Sequence, residues 1–223
     1  MNAEIINKYN IETVLKNVDK HIVLTDCMDT IIKRNTDLDG ILKSWSSKMA
    51  KEFGIYKKYL LFYRREVVAS KMHNTVPIQI IYKELFDQCA YFGLIEKEKK
   101  EFFCKYALDT EVNCEILSHT PIIKTLDFLR EQKANGCKIY CVSDFRLSGE
   151  EIRKFFVNIH EESLFDGIFS SCDYGLTKKQ GDFYKYVLEV LDQSSDNCLM
   201  IGDNIMSDCI NAGMNGIKSC WIH

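Results

Sequence analysis

HIVLTDCMDT, residues 21–30, begins with the apolar run Ile22, Val23 and Leu24 and breaks off at Asp26, Cys27, Met28, Asp29 and Thr30. A short apolar run with no polar alternation has no solvated side, so it reads as a strand buried on both faces of a parallel sheet. Runs of the same kind recur at 137–143, 167–171, 198–202 and 217–222. Helical periods separate them. In 120–136, Thr120 and Pro121 read as a cap followed by proline at the first helical position. Ile122, Ile123, Leu126 and Leu129 then repeat at helix spacing until Gly136. Segments 149–160 and 183–191 read the same way, and 205–212 is a shorter helix stopped by Gly213. Strand and helix in alternation predict an α/β fold, a doubly wound parallel sheet with helices on both faces.

Between the first and second strands the alternation stops. Helical periods alone run through 41–53, 58–72, 77–92 with Gly93 as terminator, and 96–117 with an interruption. Ile78, Ile81, Leu85, Cys89 and Phe92 form an apolar stripe on one helix face, the pattern of core packing. The expected organisation is an α/β core of 1–34 and 118–223 with an all-helical cap, 35–117, inserted into it.

Composition narrows the function classes. The 223 residues are 46% hydrophobic and 27% charged, as in ordinary folded chains, which excludes a disordered or fibrous protein. Lys and Arg number 29 against 32 Asp and Glu, a net charge of -3, so no field draws in nucleic acid or an anionic membrane. Residues 1–20 mix Glu4, Lys8, Glu12, Lys16 and Asp19 with apolar residues, unlike a secretory signal, and no apolar run is long enough to span a bilayer. A cytoplasmic protein is expected. Its ten cysteines lie singly in apolar runs with no C-x-x-C pair, and read as small buried hydrophobes in a reducing compartment.

In a doubly wound sheet, ligands bind beyond the carboxyl ends of the strands, where the strand order switches. The polar residues at those ends here are Asp26 to Thr30, Ser143 with Asp144, Lys178 with Lys179, and the series Asp203, Asn204, Ser207 and Asp208. Taken singly, such residues end strands and cap helices. Taken together they match one chemistry. A strand-end carboxylate such as Asp26 can attack phosphorus and form an aspartyl-phosphate, splitting one hard displacement into two. The phosphoryl oxygens then need neutralising, for which Asp26, Asp203 and Asp208 can hold Mg2+, Ser143 can donate a hydrogen bond and Lys178 can supply fixed charge.

The sequence resembles the haloacid dehalogenase (HAD) superfamily over the whole non-insert part of the chain. Four motifs occur in order: HIVLTDCMDT, KIYCVSD, FDGIFSSCDYGLTK and LMIGDNIMSDCINAG. The resemblance implies Asp26 as nucleophile, Ser143 as phosphate contact, Lys178 as the motif lysine, and Asp203 and Asp208 as metal acids, with the Met28 carbonyl as a further metal ligand. It also implies that the insert is a helical cap of the type that closes over small soluble substrates. Thr30 falls in the superfamily's usual threonine place, and Thr30, Asp144 and Arg65 are candidate substrate contacts. TDCMDTIIKR is further similar to a subgroup with a D-x-F-D-T-L-x-x-R motif, which implies an association with glycosyltransferases of surface polysaccharides and a sugar phosphate as a candidate substrate.

One departure bears on the reaction. Phosphatases of the superfamily read D-x-D-x-T, the second Asp serving as general acid and base; here that position is Met28. A thioether cannot protonate a leaving alkoxide, and loss of a positioned acid costs roughly 10²–10⁴ in rate. Asp29 is the candidate replacement, although Thr30 in its usual place argues for the unshifted register and puts Asp29 where glycine commonly sits. The expected activity is a magnesium-dependent phosphatase of a small phosphorylated metabolite. The alternatives are a dehalogenase-like or phosphonatase-like member, or a degenerate domain that binds a ligand or partner without turnover. In the insert, Arg64 and Arg65 read either as an anion contact or as a solvated ion-paired face. The run 96–100 reads as surface, and Trp45, Tyr56 and Tyr59 read as pocket lining or cap core. Nothing marks His73 or His119 as a ligand or base.

Overall fold

A computed structural model describes residues 21–70 and 76–222. Residues 1–20, Met72 at the end of the expected 58–72 helix, and His73 lie outside the described residues. The first half runs β1 (Ile22–Thr25), β2 (Ile32–Arg34), α1 (Leu38–Phe53), α2 (Lys57–Ser70), α3 (Ile78–Tyr91), α4 (Lys100–Ser118) and β3 (His119–Pro121). The second runs α5 (Ile123–Ala134), β4 (Lys138–Ser143), α6 (Gly149–Asn158), β5 (Gly167–Ser170), α7 (Ser171–Tyr174) and α8 (Asp182–Leu191). It closes with β6 (Cys198–Gly202), a π-helical segment (Ile205–Ile210), α9 (Asn211–Met214) and β7 (Lys218–Trp221).

The main sheet is parallel, in the order β5-β4-β1-β6-β7. β1 lies at its centre, with Ile22 beside Lys138 of β4 on one side and Cys198 of β6 on the other. The chain first fills one side of β1 and then the other, so the strand order reverses beside β1 and the carboxyl ends of β1, β4 and β6 share one crevice. One side of the sheet packs Ile22, Leu24, Val142 and Met200 against Phe183, Tyr184 and Val187 of α8, all buried. The expected doubly wound α/β fold is the one observed. α6 starts at a capping box in which Ser148 Oγ accepts from Glu151 N and the Glu151 carboxylate accepts from Ser148 N. All ten cysteines are free thiols, and eight are buried.

The chain divides into two compact units, one of the described residues up to Lys33 and from Thr120 onward, the other Arg34–His119. The helical unit contains α1 to α4. α1 is capped by Asp37, which accepts from Gly40 N at 2.8 Å, and ends at Gly54, whose φ of 69° suits glycine. Trp45 is core, stacked on Tyr82 at 5.6 Å with its indole N–H on Ala107 O, whereas Tyr56 and Tyr59 are exposed. Of the α3 stripe, Ile78, Ile81, Leu85 and Cys89 are buried and Phe92 is exposed. Arg64 is buried against Glu111, which also accepts from Tyr82 Oη, while Arg65 is exposed and pairs with Asp39. Residues Glu96 to Lys99 are exposed.

One expected boundary is corrected. Thr120 and Pro121 do not open a helix. They belong to β3, which pairs with β2 in a two-stranded ribbon, and α5 starts at Ile123. The reason is the hydrogen bond from Ile122 N to Ile31 O at 2.7 Å, which keeps the backbone extended past Pro121. At the other end of the ribbon Asn35 N donates to Ser118 O at 2.7 Å. There Glu115 accepts a two-pronged bond from Arg34 of β2 (2.9 and 3.0 Å) and bonds His119 of β3 at 3.1 Å.

Candidate active site

Polar residues stand at or just beyond the carboxyl end of each strand that borders the switch in strand order: Asp26 after β1, Ser143 at the end of β4 and Asp203 after β6. Asp26 follows β1, and its N–H donates to Ile201 O of β6 at 2.9 Å, so the sheet ladder itself holds the residue. The chain then turns tightly: Ile31 N and Ile32 N both reach Cys27 O, and Asp29 N reaches Ile32 O at 2.7 Å. Asp29 takes a left-handed φ of 56°, a conformation that favours glycine and that Asp tolerates. In this turn Met28 is second after Asp26 and Thr30 fourth. Thr30 is buried and its hydroxyl donates to Asp203 Oδ1 at 3.2 Å.

Lys178 closes the site from the opposite side. Its Nζ lies 2.6 Å from Asp26 Oδ1 and 2.7 Å from Asp208 Oδ1, and the residue is 2% exposed. Burial alone would lower its pKa, but Asp26 and Asp208 outweigh burial and hold the ammonium well above the ordinary lysine value. For Asp26, burial is the largest influence; opposed by Lys178 and reinforced by Asp208 and Asp203, it pushes the carboxyl up to about 7. Asp203 is also raised, by burial and then by Asp208.

Asp208 is placed by the π-helical segment. Asn204 accepts from Met206 N and Ser207 N at 3.1 Å through its side chain, while Asp208 Oδ2 takes Asn204 N at 3.0 Å. This knot widens the first turn and folds Asp208 back over Gly202 at the end of β6. Trp221 of β7 fixes the neighbouring backbone by donating to Asp203 O at 2.7 Å. One carboxylate oxygen from each of Asp26, Asp203 and Asp208 falls within 4.8 Å of the others. An all-oxygen acidic set of this kind suits a small hard divalent cation.

The structure therefore brings together Asp26, Thr30, Lys178, Asp203 and Asp208, with Ser143 buried at the end of β4. Asp144 lies nearby, but both of its oxygens accept backbone N–H groups, from Lys178 at 2.8 Å and Lys179 at 3.2 Å. Asp29 is exposed and close enough for its charge to act on Asp203. Arg65 belongs to the helical unit, on α2, where Asp39 takes its guanidinium. Two contributors escaped the sequence reading. Tyr184 of α8 is fully buried, donates to Ser207 O at 3.0 Å, and lies within electrostatic reach of Lys178, Asp208 and Asp26, yet in sequence it is one more apolar-face aromatic. Asn211, three residues after Asp208, donates to Lys178 O and Lys179 O at 2.9 and 2.8 Å.

A haloacid dehalogenase-like hydrolase family profile matches residues 20–212. Among curated proteins, the chain is 28% identical over 85 residues to the sesquiterpene phosphatase astK of Aspergillus oryzae, covering 38% of this chain and 42% of that one. It is 33% identical over 61 residues to the HAD-hydrolase YfnB of Bacillus subtilis, covering 27% of this chain and 26% of that one. The matched regions thus span less than half the length of either relative. A crystal structure of YfnB bound to magnesium superposes with a TM-score of 0.55 at 17% identity, covering 91% of this chain and 88% of that one. A 2-haloacid dehalogenase from Pseudomonas syringae superposes with a TM-score of 0.68 at 12% identity, covering 91% and 86%.

Proposed function

The chain belongs to the haloacid dehalogenase-like hydrolase family, and from that premise we propose that it is a magnesium-dependent phosphatase of a small phosphorylated metabolite, working through an aspartyl-phosphate on Asp26. One observation carries this reading: Lys178 Nζ bonds both Asp26 and Asp208 beside a third carboxylate, Asp203, that completes an oxygen cluster fit for a cation. The donor set suits magnesium, the ion bound in the YfnB crystal structure. Asp26, Asp203 and Asp208, with the Met28 carbonyl, would hold it, and it would offset phosphoryl charge. The named activity of astK, a sesquiterpene phosphatase, supports phosphatase chemistry, and the likeness of TDCMDTIIKR to the D-x-F-D-T-L-x-x-R subgroup supports a sugar phosphate and a glycosyltransferase partner.

The chain's own residues then divide the work. Asp26 attacks phosphorus, and the P–O bond to the leaving alkoxide breaks. Lys178 stays protonated throughout, because two carboxylates hold its proton, and so lends the developing charge a fixed partner. Ser143 donates to a phosphoryl oxygen. Water then attacks the aspartyl-phosphate and regenerates Asp26. Asp29 delivers the proton to the leaving group and takes one from the water, the role that Met28 cannot fill.

The experiment is turnover of p-nitrophenyl phosphate, acetyl phosphate and a panel of sugar phosphates with and without magnesium, using Asp26→Asn as the blank, plus beryllofluoride trapping at Asp26. Turnover that survives in Asp26→Asn refutes the mechanism. Met28 favours a second reading, cleavage of another bond through Asp26, and metal-independent release of halide would establish it.

A further inference from the structure

Lys178 sits in a turn between α7 and α8 rather than in a strand or helix, so no ladder fixes its backbone. Its ammonium must nevertheless reach two buried oxygens at 2.6 and 2.7 Å from the far end of a flexible side chain. The peptide groups on either side of it are gripped instead by two side chains from different elements. Asp144, one residue beyond β4, accepts the N–H groups of Lys178 and Lys179 on its two oxygens. Asn211, at the start of α9, donates to the carbonyls of the same two residues. Asn215, one turn further along, donates to Gly181 O at 3.0 Å and to Asn211 O at 2.8 Å, so the donor is itself held. Gly181 closes the turn at φ 86°, its N–H on Thr177 O and Lys178 O.

We infer that Asp144 and Asn211 are a pair of positioning residues that together set the place of the Lys178 ammonium. The inference rests on the proposed role of Lys178 at Asp26. The two grips are complementary: a desolvated carboxylate can only accept, so it orders N–H groups, and the Asn211 amide nitrogen can only donate, so it orders carbonyls. Together they fix both edges of the Lys178 backbone, the base from which the side chain reaches Asp26 and Asp208. A shift of about 1 Å in that ammonium is enough to cost about 10²-fold in a phosphoryl-transfer step. Asp144 thereby acts on the reaction through Lys178.

The test measures Lys178 directly, apart from turnover. Asn211→Ala and the near-isosteric Asp144→Asn are treated, beside wild type, with formaldehyde and cyanoborohydride, and methylation of each lysine is followed by peptide mass spectrometry. In wild type, Lys178 should react far more slowly than the exposed Lys97 and Lys99. In both variants its rate should rise at least about tenfold while those of Lys97 and Lys99 stay unchanged. With p-nitrophenyl phosphate and magnesium, each variant should lower kcat at least about tenfold with little change in KM, and neither should lower it further in a Lys178→Ala background. Lys178 that stays protected in both variants overturns the inference, as does an equal kcat loss with and without Lys178. If wild type turns over no substrate, the phosphatase reading fails and the methylation result alone decides the positioning role. If Asn211→Ala does not fold, Asp144→Asn decides by the same criteria.

Discussion

Gly202 lies so close beneath Asp208 that a Cβ in place of its α-hydrogen would stand 2.2 Å from Oδ2 and 2.4 Å from Cγ of that carboxylate. No heavy atoms tolerate that approach, so Gly202→Ala must move Asp208, which is 1% exposed and tied to Lys178 and to Asn204 N. Overpacking of this kind costs about 1–3 kcal/mol. Displacement of the carboxylate should lower kcat by about 10²-fold and weaken magnesium binding, measured by calorimetry. Wild-type magnesium affinity in Gly202→Ala would contradict this account of the site.

Lys178 offers a test of stability as well as of activity. In Lys178→Met two buried carboxylates lose their shared cation, and the loss on breaking a buried pair is about 3–5 kcal/mol. Magnesium should restore part of this, raising the melting temperature of the variant more than that of wild type. An equal magnesium shift in both proteins would argue that the cation does not bind beside Lys178.

Strand positions were readable because buried parallel strands interrupt helical periodicity with unbroken apolar runs: the runs at 137–143 and 198–202 correspond to Lys138–Ser143 and Cys198–Gly202. The β2 and β3 ribbon was not, since IKR and HTP are too short to alternate, and their pairing depends on partners far apart in sequence. Among site residues, Asp26, Lys178, Asp203 and Asp208 were legible from strand ends because a carboxylate or amine after an apolar run is conspicuous. Asn211 was not. Its side chain works on a backbone 32 and 33 residues away, and an asparagine two residues before Gly213 reads as part of a helix end. Arg64 and Arg65 look alike in sequence, yet helix geometry sends one to the interior and the other to the surface.

That division predicts opposite responses. Arg65→Ala should change stability by no more than about 1 kcal/mol, as for exposed pairs. Arg64→Met removes the guanidinium from the buried Glu111 carboxylate and should cost about 3–5 kcal/mol, while Arg64→Met with Glu111→Leu should recover most of that loss. Denaturant melts of the three variants measure it. A double variant no better than Arg64→Met would mean that the pair is not the source of the cost.

Glu115 makes the helical unit sensitive to acid. Burial would raise its carboxyl, but the bonds from His119 and Arg34 outweigh burial and hold it below the ordinary value of 4.5. The folded protein therefore releases this proton more readily than the unfolded chain. The stabilisation is complete above the unfolded value and disappears as pH falls through the folded one. Glu115→Gln should melt below wild type at neutral pH, and the gap should close under acid. A gap constant from about pH 7 to about pH 3 would contradict the linkage.

Asp29 can be separated from its backbone role by two substitutions. Asp29→Gly relieves a left-handed side chain and should raise stability by up to about 1 kcal/mol. If Asp29 is the proton donor, both Asp29→Gly and Asp29→Asn should slow hydrolysis of alkyl phosphates by roughly 10²-fold or more, while sparing p-nitrophenyl phosphate, whose phenolate leaves unaided. Equal slowing of both substrates removes Asp29 from that role.

The ribbon formed by β2 and β3 brings the two ends of the helical insert side by side, with Asn35 N on Ser118 O and, on the sheet side, Ile122 N on Ile31 O. To the parallel sheet, everything beyond that ribbon is a single loop whose length and content it does not register. Such a junction is a natural graft point. A helical unit of another size can be transplanted there, or the gap bridged by a tight turn, without shifting the register of any strand that carries Asp26, Ser143 or Asp203. The helical unit can therefore change in a lineage that keeps this ribbon while the sheet that carries the acidic cluster stays as it is.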